Sequence, residues 1–429
     1  MSFGETQQFL NAKVITLTAR ARRLSELTPE AVGIRKQDCK FAPSALHFKA
    51  ANQRLAKIDR AIVTRLKFLK RHSRTAQPQQ TLLYAALVER EIDRARRAFG
   101  LFFEVFSQRG SAFAPVLAAH DVIASDCYQA VRYSKSKKFA NNLIKPLTYL
   151  EHGYSPATMR RGVTLVKLLG ETNPFPLIRI PWDRDNPWQA VFLHEVSHNL
   201  QADLGLWQEN KDAVQQRMLR AVGDPNIVSI YGRWHKEIFA DLAAVLLGGP
   251  ASVWGMMDFL AHPSPKVMTF KPGGAHPTGY LRILVLAEML ERMGFAEEAH
   301  RVKKVWQQLY RPNAGHRIPK RLLSTSKQSI QHIVDEIAFQ PRRGLAQRSL
   351  ADVIEFTPEH EKMIRHGSKQ LAKGIVPKNL PPRFLVSASR HALTSGVSLP
   401  KLSNLVIKHL SSKVARKHAH RTTPKIAAA

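Results

Sequence analysis

Between residues 45 and 106 the apolar positions return at alternating intervals of three and four: Phe48, Ala51, Leu55, Ile58, Ile62, Leu66 and Leu69, then Val88, Ile92, Ala95, Phe99, Phe102 and Phe106 after the polar stretch RHSRTAQPQQ. Two such stripes joined by a polar turn predict an antiparallel helical hairpin. Residues 111–170 are expected to add two or three further helices, with SKSKK at 134–138 as a basic loop. The stretch near the middle that reads as a strand is PLIRI, 176–180, bounded by prolines and alternating at Ile178, Arg179 and Ile180. It leads through WDRDNP, where Asp185 or Asn186 is placed to cap a helix and Pro187 to begin it, into the apolar run VFLHEVSHNL at 191–200. A second run, WHKEIFADLAAVLLGG, is apolar nearly all round, which predicts a buried helix. After KPGGAHP a third helix carries Leu281, Leu284, Val285 and Leu290. Beyond residue 300 the chain reads as polar helix broken at Pro312, Pro319 and Pro341, with a turn at KNLPPR and a disordered tail from residue 411. The whole predicts a mainly α fold with a small β element.

Within the apolar run at 191–200, His194 and His198 stand four apart, so on a helix both imidazoles leave the same face, with Glu195 one step round. Two neutral imidazoles beside a carboxylate are the ligands and the base of a zinc site, where bound water is acidified to a pKa of roughly 7. The residues around them, Val191, Phe192, Leu193, Val196, Ser197, Asn199 and Leu200, are all uncharged, as a buried metal helix requires. A third protein ligand is needed. Glu237 and Asp241, again four apart, place two carboxylates on one side of the second apolar helix, and burying two acids together is costly without a cation. Glu237 is therefore expected as the third ligand and Asp241 as the acceptor that holds His194 by its other ring nitrogen. The chemistry implied is hydrolysis, most often of a peptide bond, with Glu195 as general base. For a donor to the developing oxyanion the sequence offers His276 at the start of the third helix, with Tyr231 and Tyr280 as alternatives. Trp182, Trp188, Trp207, Trp234 and Trp254 are expected to serve as core packing.

His194-Glu195-x-x-His198 followed by Glu237-x-x-Ala240-Asp241 resembles the gluzincin class of zinc metallopeptidases, where a Glu from a second helix completes a two-histidine site. The segment AHPTGYLRI, with His276, Pro277 and Arg282, is similar to the HP…R segment that follows the ExxAD motif in the CAAX prenyl endopeptidases and their soluble relatives. The resemblance spans residues 175–295. It implies a zincin-like catalytic core, a zinc cofactor, a polypeptide substrate held along a sheet edge beside the first metal helix, and His276 and Arg282 facing the active site. Unlike the integral-membrane members, this chain has no run approaching the ~18 uncharged apolar residues of a membrane span, so a prenyl-protein substrate is not expected.

Length and charge add a setting for this site. With 429 residues and 44% apolar content, the chain divides by pattern into a basic N-terminal segment (1–44), a helical arm (45–174), a catalytic domain (175–300), a helical basic C-terminal region (301–410) and the tail (411–429). The formal charge is +32, yet residues Phe175 to His300 hold 11 Lys and Arg against 14 Asp and Glu, a net of −3, so the flanks carry +35. From Lys362 to the last residue there are 14 Lys and Arg and no acid. On the arm, Lys57, Arg60, Arg65, Lys67, Lys70, Arg71, Arg90, Arg94, Arg96 and Arg97 add a basic outer face. Such a field attracts polyanions, of which nucleic acid is the commonest and an acidic protein or anionic lipid surface the next. Only two cysteines, Cys39 and Cys127, point to a reducing, cytoplasmic setting, while the acid-free stretch TQQFLNAKVITLTARARRLS leaves an organellar presequence as the alternative. The sequence therefore reads as a soluble zinc metalloendopeptidase recruited to a polyanion. The rival is a nucleic-acid-associated or scaffold protein with a vestigial zinc-peptidase fold; against it stands Glu195, since a structural site has closed coordination and needs no base.

Overall fold

A computed structural model describes residues 3–21, 26–73, 75–131, 143–151, 157–160, 172–181, 191–312 and 317–422. The chain divides into two compact units, Met1–Ala114 with Arg161–Phe175, and Pro115–Arg160 with Pro176–Ala429. These boundaries differ from those read off the charge and pattern: the N-terminal 44 residues are not separate from the arm, and the region after residue 300 is not separate from the catalytic segment.

In the first unit the three-and-four periodicity is realised as α2 (Ala45–His72) and α3 (Pro78–Ser107), preceded by α1 (Phe3–Ala21). The hairpin does not stand alone. Val14, Leu17 and Ala21 of α1 join Ile58, Ile62, Leu66 and Leu69 of α2 and Val88, Ile92 and Ala95 of α3 in one buried cluster. Burying each large aliphatic side chain contributes about 1.5–3 kcal/mol, so α1 covers an apolar face that the hairpin would otherwise leave wet. Its cations also have local partners, Lys13 with Glu89 at 3.1 Å and Arg20 with Glu89 at 3.6 Å. On the arm, Arg65 and Arg94 flank Glu91 at 3.4 and 3.3 Å, whereas Lys57, Arg60, Lys67, Lys70 and Arg71 on α2 and Arg90, Arg96 and Arg97 on α3 are exposed.

The second unit begins with α4 (Ala114–Ala130) and a three-stranded sheet where further helices were expected. Its strands are β1 (Leu147–Glu151), β2 (Ala157–Met159) and β3 (Leu177–Pro181), in the order β1-β3-β2. β1 runs parallel to β3, with Leu147 opposite Leu177, and β2 antiparallel to it, with Thr158 opposite Ile178. β3 fulfils the predicted strand one residue further on. β1 escaped notice because Leu147 to Leu150 are all buried, leaving no polar alternation, and three-residue β2 is too short to show any.

Among the described residues the longer helices of the rest of the unit are α5 (Val191–Asp203), α6 (Leu206–Val222), α7 (Pro225–Gly248), α8 (Pro250–Leu260), α9 (Gly279–Arg292), α10 (Ala296–Leu309), α11 (Ser326–Val334), α12 (Pro358–Ala372), α13 (Pro382–Thr394) and α14 (Leu399–Thr422). At its centre, α7 packs on α5, α6, α8, α9 and α13. Asp224 caps it by accepting from the N–H groups of Asn226 (2.9 Å) and Ile227 (3.4 Å), and Pro225 supplies a first-turn residue with no N–H to satisfy. Every residue from Glu237 to Gly248 is buried, as the all-round apolar sequence predicted. The helix stops at Gly249, whose φ of +69° favours glycine. A Cβ on Gly248 would overlap the Ser252 hydroxyl of α8 and lie 2.7 Å from a Leu193 methyl and 2.9 Å from the Ser387 hydroxyl, so glycine here makes room for α5, α8 and α13. Ser387 Oγ donates to the Gly248 carbonyl at 2.6 Å.

Helix α14 continues through Thr422, past residue 411 where a disordered tail was expected; residues 423–429 lie outside those described. SKSKK, the WDRDNP cap with Asp185, Asn186 and Pro187, and Trp182 and Trp188 also lie outside the described residues. Among the described residues, no helix is long and apolar enough to cross a membrane.

Candidate metal centre

The four-residue spacing on α5 does what a helix dictates: the rings of His194 and His198 lie edge to face with centroids 4.6 Å apart. Val191, Phe192, Leu193, Val196 and Leu200 bury the remaining faces, and Ser197 satisfies its hydroxyl on the Leu193 carbonyl at 2.7 Å. Glu237 enters from α7. Its Oε2 is 3.4 Å from His194 Nε2 and 3.4 Å from His198 Nε2. Ligand bonds of ~2.0–2.2 Å in a tetrahedral arrangement put neighbouring ligand atoms roughly 3.3–3.6 Å apart, so these separations fit one shared cation. The His194–His198–Glu237 group, with all its ligand atoms within 4.8 Å of one another, can hold a metal ion.

Behind the ligands stands an ion pair buried on every side. Asp241, one turn beyond Glu237, receives Arg282 of α9 through Nε at 2.5 Å and through the terminal nitrogen at 2.7 Å. The same carboxylate lies 2.8 Å from His194 Nδ1, which leaves Nε2 to face Glu237. That terminal nitrogen of Arg282 is 3.3 Å from both ring nitrogens of His194, so it sits beside the imidazole rather than on one lone pair. Asp241 thus stands at hydrogen-bond distance from His194 Nδ1, and Arg282 borders the cavity beside it.

The charges follow from these contacts. Burial opposes an imidazolium at His194, but Asp241 at hydrogen-bond distance outweighs it and raises the metal-free pKa to about 9. Burial likewise raises the carboxyl of Glu237, yet hydrogen bonds from His194 and His198 hold it well below the usual carboxylate range. For Asp241 burial is overcome chiefly by Arg282, then by His194, and the net shift is downward. Arg282 is raised because Asp241 more than offsets its desolvation. A cavity of about 290 Å³ opens on this group, and Glu195 lines it without belonging to the ligand set.

His276 also lines the cavity, with its Nε2 3.5 Å from Glu237 Oε2 and its side chain 69% exposed. The alternative donors do not reach it. Tyr231 is buried on α7 with its ring centroid 5.5 Å from that of Trp234, and Tyr280 is buried at the start of α9; neither appears among the described residues lining the cavity. Trp234 is core, as expected, but Trp207 is not: it lines the cavity beside Arg160 and Lys236. From sequence Trp207 was expected in the core, and Arg160 and Lys236 were not singled out. Lys236, a cation adjacent to Glu237 in an otherwise apolar helix, was the available signal; Arg160 gave none, because it reaches the site only through β2.

β2 is fixed to the metal helix directly. Thr158 Oγ1 donates to the Glu195 carbonyl at 2.8 Å, and Ala157, Thr158 and Arg160 border the cavity. The sheet edge at the site is thus β2, not the strand read from sequence, which lies at the centre of the sheet.

No known protein family, curated protein or solved structure matches this chain. What the centre can do is read from its own atoms: two imidazoles and a carboxylate converge from two helices, a second carboxylate stands free of them, and an open cavity meets all four.

Proposed function

We propose that the protein is a gluzincin-type zinc metallopeptidase. The observation that carries this reading is the pairing of the three-residue His194–His198–Glu237 group with Glu195 in the same cavity but outside that group. Two imidazole nitrogens and one carboxylate oxygen suit zinc and leave a fourth position for chemistry. Bound there, zinc supplies Lewis acidity that lowers the pKa of water and polarises a carbonyl group. Glu195 takes the proton from the attacking water and returns it to the leaving amine nitrogen. His276 donates to the carbonyl oxygen as negative charge develops on it. Asp241, anchored by Arg282, holds the Nδ1 proton of His194, so Nε2 is the ring nitrogen that would bind the metal. β2, tied to the Glu195 carbonyl, offers the sheet edge along which a peptide backbone is laid.

The basic flanks extend the reading to a place of work. Lys57, Arg60, Lys67 and Arg71 fall at intervals of three, seven and four on α2, all exposed, and no ion pair joins them to other described residues. We assign them to attachment to a polyanion, nucleic acid first, inside a reducing cytoplasmic compartment that suits the unpaired Cys39 and Cys127. The scaffold alternative has no use for a base beside the metal.

The test is zinc content and general proteolysis of the purified protein beside Glu195→Gln. About one zinc per chain in both, with hydrolysis at least ~10²-fold slower in the variant, is expected. Absent zinc, or equal hydrolysis by the two proteins, overturns the proposal.

A further inference from the structure

Three side chains in the cavity have no part in that mechanism. Arg160 follows β2, Trp207 opens α6, and Lys236 precedes Glu237 on α7, so three separate elements bring them together. The guanidinium carbon of Arg160 lies 3.8 Å from the centre of the Trp207 ring, and Lys236 Nζ lies 5.7 Å from that centre. The indole is itself braced by His235, edge to face at 5.6 Å.

Among the described residues neither cation has a carboxylate within ion-pair distance, and Glu195 and Glu237 are the only carboxylates that border the cavity. Those two are already committed to the base and the ligand group. Arg160 is also half-buried, and its desolvation pulls its pKa down, with Glu237 offsetting part of the shift. A solvated surface charge would show no such cost. Stacking on an indole fixes the guanidinium plane and leaves its in-plane N–H fork free, and that fork matches the two oxygens of a carboxylate.

We propose that Arg160 and Lys236, braced on Trp207, form a carboxylate-binding subsite, so that the centre selects peptides bearing an acidic side chain or a free C-terminal carboxylate close to the bond to be cut. This rests on the peptidase reading for the word "cut", but the subsite can be tested by binding alone.

Degenerate octapeptides, made as free acids and as C-terminal amides, are equilibrated at about 0.15 M salt with zinc-loaded Glu195→Gln protein, and the retained members are sequenced. Enrichment of Asp and Glu over Asn and Gln reports an acidic side chain, and enrichment of acids over amides reports the C-terminus. Tenfold or greater enrichment in at least one arm is expected, from a charge-assisted bidentate contact. It should fall below threefold when Arg160→Gln or Lys236→Met is added. Each of these variants removes one charge from a chain of net +32, so diffuse attraction of acidic peptides would persist in both. No enrichment in either arm, or enrichment undiminished in both variants, overturns the subsite. Folding is checked by ellipticity and zinc content; if one variant fails to fold, the other decides. Enrichment by a protein whose wild-type form hydrolyses no peptide would keep the subsite and remove the peptidase.

Discussion

Replacing Asp241 by Asn tests the support behind the metal ligands, because it removes one charge and almost no volume. In the folded protein this carboxylate serves two groups at once, His194 Nδ1 at 2.8 Å and the Arg282 fork at 2.5 and 2.7 Å, and all three residues are buried. Loss of an outer hydrogen bond to a metal-ligating histidine weakens metal binding by about 10- to 100-fold, which is roughly 1.4–2.7 kcal/mol. Loss of one partner of a buried ion pair costs about 3–5 kcal/mol; with Glu237 and Glu195 still attracting Arg282, which loses only its hydrogen-bonded counter-charge, the lower end is expected. The second effect is the larger. Asp241→Asn should therefore reduce folding stability more than zinc affinity, and the stability loss should appear even with zinc removed. Urea unfolding in the presence of a chelator measures the first quantity, and competition with a zinc indicator the second. Adding Arg282→Met to Asp241→Asn takes away the stranded cation, so part of the stability should return while zinc affinity stays low. A double variant no more stable than Asp241→Asn alone would refute the claim that a stranded charge is the source of the loss.

Four further outcomes follow from the same geometry. His194→Ala, His198→Ala and Glu237→Ala should each abolish stoichiometric zinc, read by metal analysis after dialysis; zinc retained by Glu237→Ala would remove that residue from the ligand group. His276→Ala should keep zinc and lower kcat, whereas Tyr231→Phe and Tyr280→Phe, away from the cavity, should leave kcat within about twofold, as steady-state kinetics on folded protein would show. With the metal-free His194 pKa raised to about 9, its proton competes with zinc below that pH, so affinity should rise about tenfold per unit from pH 7 to 9 and then level; a flat profile in a pH-corrected chelator competition would show that no such proton is displaced. Finally, changing Lys57, Arg60, Lys67 and Arg71 together to Gln should flatten the salt dependence of DNA or RNA binding by about three to four units of log–log slope and leave peptide hydrolysis intact, while an unchanged slope would remove α2 as the attachment face.

The ligand group was legible because His194 with His198, and Glu237 with Asp241, each lie one helical turn apart, and helical periodicity survives in sequence without knowledge of neighbours. The long apolar stripes of α2 and α3 were legible for the same reason. β1 and β2 were not, since one is buried along its length and the other is three residues long. Arg160, Trp207 and Lys236 meet through contacts between elements, and no local pattern records such a meeting. In the helical basic C-terminal region the charge was legible and the packing was not: Phe384, Leu385 and Val386 of α13 are buried and α13 packs on α7 and α8. Charge reports what faces water and says nothing of the apolar face beneath.

The absence of a side chain at residue 248 has a consequence for mutational tolerance. A single added methyl group there would meet the Ser252 hydroxyl first, then Leu193, whose neighbour in the chain is His194, and Ser387, 139 residues further along, and all three would have to give way. The Leu193 shift is the one that reaches a ligand group whose atoms must stay within a few tenths of an ångström. Gly248→Ala should thus behave like a lesion of the metal centre, although residue 248 lies eleven positions beyond Glu237 and touches no ligand.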